Sequence, residues 1–187
     1  VKERALELGF PVHQPDSVKD EAFLELLRGY NPDVIVVVAF GRILPQAVLD
    51  LPKYGCVNVH GSLLPQYRGA APIQRALLDG LKETGVTTMR MDIGMDTGDM
   101  LLQAALPITD EDTTGTMFDK LAELGGQLLV DTLAGLEAGT IVPQKQDDAK
   151  ATHAARILKE DEVIHWENAA EHIFCQIRGL APAPGAY

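Results

Sequence analysis

Asn58 and His60 stand two apart in the run Cys56-Val57-Asn58-Val59-His60. Along an extended strand side chains alternate between faces, so this amide and this imidazole point the same way. Both can donate hydrogen bonds. Side by side they can hold one carbonyl oxygen as it gains negative charge during transfer of an acyl-type group. Taken alone, Asn-x-His has a plainer reading: a turn cap followed by a packed, hydrogen-bonded histidine. The loop that follows weakens it. Gly61 and Gly69 permit close backbone approach, while Pro65 and Pro72 stiffen the loop before any ligand arrives. Arg68 can face a carboxylate or phosphate, and Tyr67 offers a ring for stacking. The alternative there is a surface loop with a solvated arginine and a packed tyrosine.

A second cluster runs from 91 to 100, where Asp92, Asp96 and Asp99 alternate with Gly94 and Gly98. Such oxygens suit a hard cation, although the spacing is not that of a calcium loop. An acidic turn between strands accounts for the same residues. The chain has no Gly-rich phosphate loop of the P-loop or dinucleotide type and no Gly-x-Ser-x-Gly elbow. His13, His153, His165 and His172 are scattered and carry no assigned role.

The elements that must position these clusters follow from periodicity. Residues 34–40 are a continuous β-branched run, which suits a central strand covered on both faces. Residues 55–60 form a second short strand whose polar end carries Asn58 and His60, where open α/β sheets bind ligands. Residues 85–91 and 100–108 read as two strands joined by the acidic turn, which adds antiparallel character. Helices are expected at 1–8, from Asp16-Ser17 to Asn31-Pro32, at 44–51, at 72–78, at 114–136 and at 163–180. In the helix at 114–136, Met117, Leu121, Leu124, Leu128, Thr132 and Leu136 recur at helical spacing, and Gly125-Gly126 is its weak point. Alternating strands and helices predict an α/β layer architecture with a largely parallel sheet. A polar stretch at 144–152 reads as a linker.

The 187 residues suffice for one full domain and part of a second. A hydrophobic share of 46% excludes a disordered chain. Cys56 and Cys175 have neither metal-ligand nor redox spacing and read as reduced, buried thiols of a cytosolic protein. No apolar run reaches membrane-spanning length, and no signal peptide is visible.

Together the two clusters resemble the folate-dependent formyltransferase family. The resemblance is carried by Asn58-x-His60, by Ser62-Leu63-Leu64-Pro65-x-Tyr67-Arg68-Gly69, and by Asp96, which lies where that family has its catalytic aspartate. Residues 69–77 and 91–101 are similar to the members that act on aminoacylated initiator tRNA. The likeness continues through 120–122 to 177–180 and 184–187. It implies a Rossmann-like fold with a mostly parallel mixed sheet. Residues 1–142 are then the catalytic domain, 143–163 a linker and 164–187 the beginning of a C-terminal β-barrel domain. It also implies that the family's first strand precedes Val1 and that most of the barrel follows Tyr187. His165, Ala181 and Ala183 depart from the family pattern.

The resemblance further implies 10-formyltetrahydrofolate as co-substrate, initiator methionyl-tRNA as acceptor, no metal, and a cytoplasmic monomer with no membrane association. Asn58 and His60 would bind the oxyanion. Asp96 would keep the imidazole protonated and accept the amine proton. The pterin would lie between Phe40, Gly41, Ile43 and Leu44 on one side and the turn at Asp92 on the other, with Ser62, Leu63, Leu64 and Pro65 completing the folate site. The alternatives are another acceptor within the family (a sugar nucleotide or purine precursor) or water, as in a deformylase.

With 16 Lys+Arg against 27 Asp+Glu, the chain carries a net charge of −11 and repels phosphates. These residues alone should therefore bind tRNA feebly, giving little retention in a filter assay at moderate salt. Tight, salt-resistant retention would contradict this.

Overall fold

The computed structural model describes residues 1–187. The β-branched run forms β1 (Ile35–Val38), parallel to β2 (Cys56–His60), with Ile35 opposite Cys56 and Val38 opposite Val59. β3 (Arg68–Gly69) is a two-residue strand in the loop beyond β2. β4 (Glu83–Arg90) lies antiparallel to β2, and β5 (Met100–Pro107) antiparallel to β4. The main sheet has the order β1-β2-β4-β5. β6 (His153–Ala154), from within the 143–163 stretch expected to be a linker, pairs in parallel with β3.

One expectation is corrected here. The sheet is mixed, but only one of its pairings is parallel. The connection between β4 and β5 is too short for a crossover, so the chain must reverse. Within these residues β1 stands at the end of the sheet's order, with Val37 buried. Its buried side packs on α2 (Glu21–Tyr30) and α3 (Gln46–Leu49), in a cluster of Val18, Leu24, Val37, Val48, Leu49 and Cys56. α1 (Lys2–Glu7) precedes them and buries no residue. α2 begins after Asp20 rather than at Asp16-Ser17, because the Ser17 hydroxyl bonds the Lys19 N–H in a local turn instead of capping a helix.

The opposite face is covered by α5 (Thr114–Ala138). Its N-terminus is a capping box between Thr113 and Thr116, and its C-terminus ends on Gly139 at φ 67°. Met117, Leu121, Leu128 and Leu136 are buried at the expected spacing. Each such side chain contributes roughly 1.5–3 kcal/mol by burial. Gly125 does not break the helix. A Cβ there would approach Val59 Cγ1 to 3.0 Å, so the glycine is the point of closest approach between helix and sheet. Lower down, the buried Thr88 and Thr132 hydroxyls bond each other at 2.8 Å.

α4 (Pro72–Leu78) starts on a proline, as expected, and packs on α6 (Ala170–Leu180). α6 is shorter than the helix expected at 163–180. The carbonyls of Asp161 and Val163 are taken by the Gln176 side chain, and the Ile164 N–H by the carbonyl of Tyr187, which leaves 163–169 outside the helix. No helix is long and apolar enough to cross a membrane.

The start of α5 depends on Asp112, which is 3% exposed. Burial alone would raise its pKa. Hydrogen bonds from Lys120, from the Thr109 backbone and hydroxyl, and from Thr116 outweigh that and hold the carboxyl well below the usual range. A depressed folded-state pKa gives stability that is fully present above the unfolded-chain value of about 3.9 and is lost as pH falls through the folded one. Asp112→Asn should therefore cost about 2 kcal/mol near neutral pH. It should also flatten the acid limb of stability below about pH 4, measured by urea unfolding across pH.

Candidate active site

Alternation along β2 sends Val57 and Val59 toward α5 and Cys56, Asn58 and His60 to the other face. Cys56 meets α3 there, its thiol on the Val48 carbonyl, and burial, with Asp50 nearby, pushes that thiol up to about 11. Asn58 and His60 lie further along, where α3 no longer covers the sheet. The Asn58 side chain is half-buried and makes no hydrogen bond within the protein, so its amide is free for a ligand. His60 is 6% exposed. Its Nε2 lies 2.9 Å from the Tyr67 carbonyl, which can only accept, so Nε2 carries a proton. Nδ1 is then the nitrogen left to act, 3.8 Å from Asp96 Oδ2. For Nδ1 to donate as well, the ring must be the imidazolium, with the Asp96 carboxylate as its countercharge.

Asp96 arrives by an indirect route. β4 ends at Arg90, opposite Val57, and the Met91 N–H bonds the Cys56 carbonyl. The 91–99 connection therefore leaves at the start of β2 and folds back along it to His60. Gly98 makes this possible: a Cβ there would fall 1.7 Å from the Arg90 carbonyl oxygen. Asp92 organises the turn by accepting from the Gly94 N–H and the Thr97 hydroxyl. Asp96, at φ 54°, accepts the Gly69 N–H at 2.8 Å. Two carboxylates of the acidic turn thus serve different partners, Asp92 within the turn and Asp96 across to Gly69 and His60.

The loop after β2 is set by one hydroxyl. Thr87 Oγ1 donates to the Ser62 carbonyl and accepts from the Leu64 N–H and the Gln103 amide. Ser62 and Leu64 are buried, and the Ser62 hydroxyl is spent on the Gln66 carbonyl. The Leu64 carbonyl accepts from the Gln103 amide as well, so Leu64 has no backbone polar group to spare and Ser62 keeps only its N–H. The Leu44 side chain is buried too, in the cluster under β1. Leu63 and Pro65 are half-buried and Gly41 exposed. Phe40 and Ile43, by contrast, are 45% and 70% exposed, and Ile93 and Met95 on the acidic turn are similarly open. A flat apolar ligand would find these four side chains unburied. Ile93 and Met95 had no individual sequence signal beyond lying in the turn.

Tyr67 and Arg68 are tied to neighbouring segments of the protein. Burial and the hydrogen bond to Asp79 raise the Tyr67 phenol above its ordinary range. Arg68 bonds Gln146 and Asp148 from the expected linker. Gln146 itself is buried, and nothing in a polar stretch distinguishes it from its neighbours.

A Rossmann-like fold with a mixed sheet thus brings an amide and an imidazole of β2 and a carboxylate of the acidic turn to the same end of the sheet. Comparison with known proteins then identifies the family: "Formyl transferase" matches residues 3–133 and "Formyl transferase, C-terminal domain" matches 156–187, and the chain belongs to the formyl transferase family. Over all of its length it is 57% identical to a methionyl-tRNA formyltransferase of Moorella thermoacetica and 52% identical to that of Citrifermentans bemidjiense. It spans 60% and 59% of those two proteins. The crystal structure of HypX from Aquifex aeolicus in complex with tetrahydrofolic acid superposes on 87% of this chain and 28% of that one, with a TM-score of 0.76 at 19% identity, a likeness of fold.

The turn geometry is checked by a pair of glycines. Gly98→Ala should destabilise by about 1–3 kcal/mol, because the Arg90 carbonyl cannot step aside without moving β4. Gly126→Ala, with nothing within 4 Å of its Cβ, should instead stabilise α5 by up to about 1 kcal/mol. Thermal unfolding of the two variants reads both signs.

Proposed function

We propose that this chain carries the active site of an enzyme that transfers a formyl group from 10-formyltetrahydrofolate to the α-amino group of initiator methionyl-tRNA, for translation initiation. The observation that carries the chemistry is His60 Nδ1 against Asp96 Oδ2, beside the unpartnered amide of Asn58. The names of the curated relatives support the choice of acceptor.

The methionyl nitrogen attacks the formyl carbon, and the carbonyl oxygen becomes an oxyanion. The Asn58 amide and the His60 imidazolium donate to it. Asp96 takes the proton lost by the attacking amine. The carbon–N10 bond then breaks, N10 leaves with the proton that Asp96 gives up, and the products are formylmethionyl-tRNA and tetrahydrofolate. Phe40, Ile43, Ile93 and Met95 offer apolar contact to the pterin, with Gly41, Asp92 and the N–H groups of Leu44, Ser62 and Leu63 supplying polar groups for its edge and Pro65 beside them. We assign 1–142 to the catalytic domain, 143–163 to the connection and 164–187 to the start of the second domain, in a cytoplasmic monomer.

The test sets these 187 residues in the full-length frame of a curated relative (the full-length protein). Supplied with formylfolate, it should formylate methionyl-tRNA in preference to sugar nucleotides or purine precursors. Formate release without any acceptor would mean a deformylase. Asp96→Asn should lower turnover roughly 100-fold or more with tRNA affinity retained, since the groups removed act in the transition state. Normal turnover would mean that the acidic turn is structural.

A further inference from the structure

Asp96 is held against two disadvantages. Its φ of 54° is a conformation that costs a residue bearing a Cβ about 1–2 kcal/mol. The turn around it is also open to solvent, with Ile93 and Met95 more than half exposed. What meets the turn from inside the protein is a side chain fifty residues further along the sequence.

Gln144 pairs with Met100 at the start of β5 through two backbone hydrogen bonds of 2.8 Å, which lays the following residues beside the turn. Gln146, 5% exposed, then reaches under it. Its Nε2 donates to the carbonyls of Asp96 and Gly98, at 2.8 Å each, and its Oε1 accepts from Arg68 Nε at 2.9 Å. The partners fix which end of the carboxamide is which, because a carbonyl only accepts and a guanidinium only donates. Arg68 adjoins Gly69, whose N–H donates to Asp96 Oδ2. The bonds close a ring from the Asp96 backbone through Gln146, Arg68 and Gly69 to the Asp96 carboxylate.

We propose that Gln146 is a positioning residue for the transfer reaction: its carboxamide holds the backbone of the Asp96 turn so that the carboxylate stays on the Gly69 N–H and against His60. This rests on Asp96 acting in catalysis as read above. The side chain meets both chemical requirements at once, two N–H donors for two carbonyls and one oxygen for Arg68. A glutamate would keep Arg68 and turn an oxygen on the two carbonyls. A leucine would fill the space and bond neither.

The experiment places Gln146→Glu and Gln146→Leu in the full-length protein, each alone and combined with Asp96→Asn. It measures kcat, the KM for formylfolate, and the amide resonance of Gly69. Either single variant should lower kcat by roughly 10- to 100-fold, the scale of a small displacement of a reacting group. KM for the formyl donor should be unchanged. Added to Asp96→Asn, the same substitution should cost nothing further, because residues that act through one another are not additive. The Gly69 amide should shift upfield as its charged acceptor withdraws. An additive loss in the double variants, an unmoved Gly69 resonance, or unimpaired turnover would overturn the positioning role alone. Normal turnover of Asp96→Asn itself would instead overturn the catalytic reading beneath it. Should the leucine variant fail to fold, the glutamate variant, which keeps the Arg68 pair, decides the matter.

Discussion

The connection between β4 and β5 has to leave the sheet beside Val57 and present its carboxylate beside His60, further along the same strand. A hairpin that simply continued the line of β4 would carry Asp96 away from the imidazole. The chain resolves this by doubling back over the sheet, and the doubling back uses a residue without a side chain at Gly98, a left-handed backbone at Asp96 and a carboxamide beneath both. The rest of the site takes its form from that reversal. Because the turn lies over the face carrying Asn58 and His60, α3 has to stop short of them, and α5 must supply the cover on the other face.

Much of the surrounding polar apparatus serves the same end. The Thr87 hydroxyl satisfies three partners and fixes the loop after β2, which in turn brings the Tyr67 carbonyl onto His60 and the Gly69 N–H onto Asp96. Buried and fully satisfied, such a group both rigidifies and specifies its surroundings. Tyr67 and Arg68 have the chemistry of substrate-binding groups, yet the Tyr67 hydroxyl is taken by Asp79 and the Arg68 Nε and Nη2 by Gln146 and Asp148. Their work is to fasten the loop to its neighbours.

The four strands of the main sheet, α4 and α5 were legible in the sequence because each rests on local periodicity or a terminal signal: apolar runs for the strands, Pro72 at a helix start, and apolar residues at helical spacing along α5. The pairing of Asn58 with His60 was legible from alternation alone. Asp96 was legible only through family resemblance, since nothing local announces that a turn will fold back. What could not be read were the consequences of contacts between distant segments. Residues 163–169 have helical spacing, but the Gln176 amide competes for their neighbourhood's carbonyls. Leu44 and Leu64 look like any loop leucine until the core closes over them. Gln146 lies in a stretch whose composition reads as a tether, and its burial depends on a backbone pairing with Met100 that no propensity scale encodes.

The Thr88 and Thr132 hydroxyls meet between β4 and α5, and both side chains are wholly buried. Each is a polar partner of the other, so a valine at either position alone takes a hydrogen-bond partner from a hydroxyl left in the core. Valine at both removes the two polar atoms together. The two positions are therefore coupled across sheet and helix: change at one is best tolerated in company with change at the other.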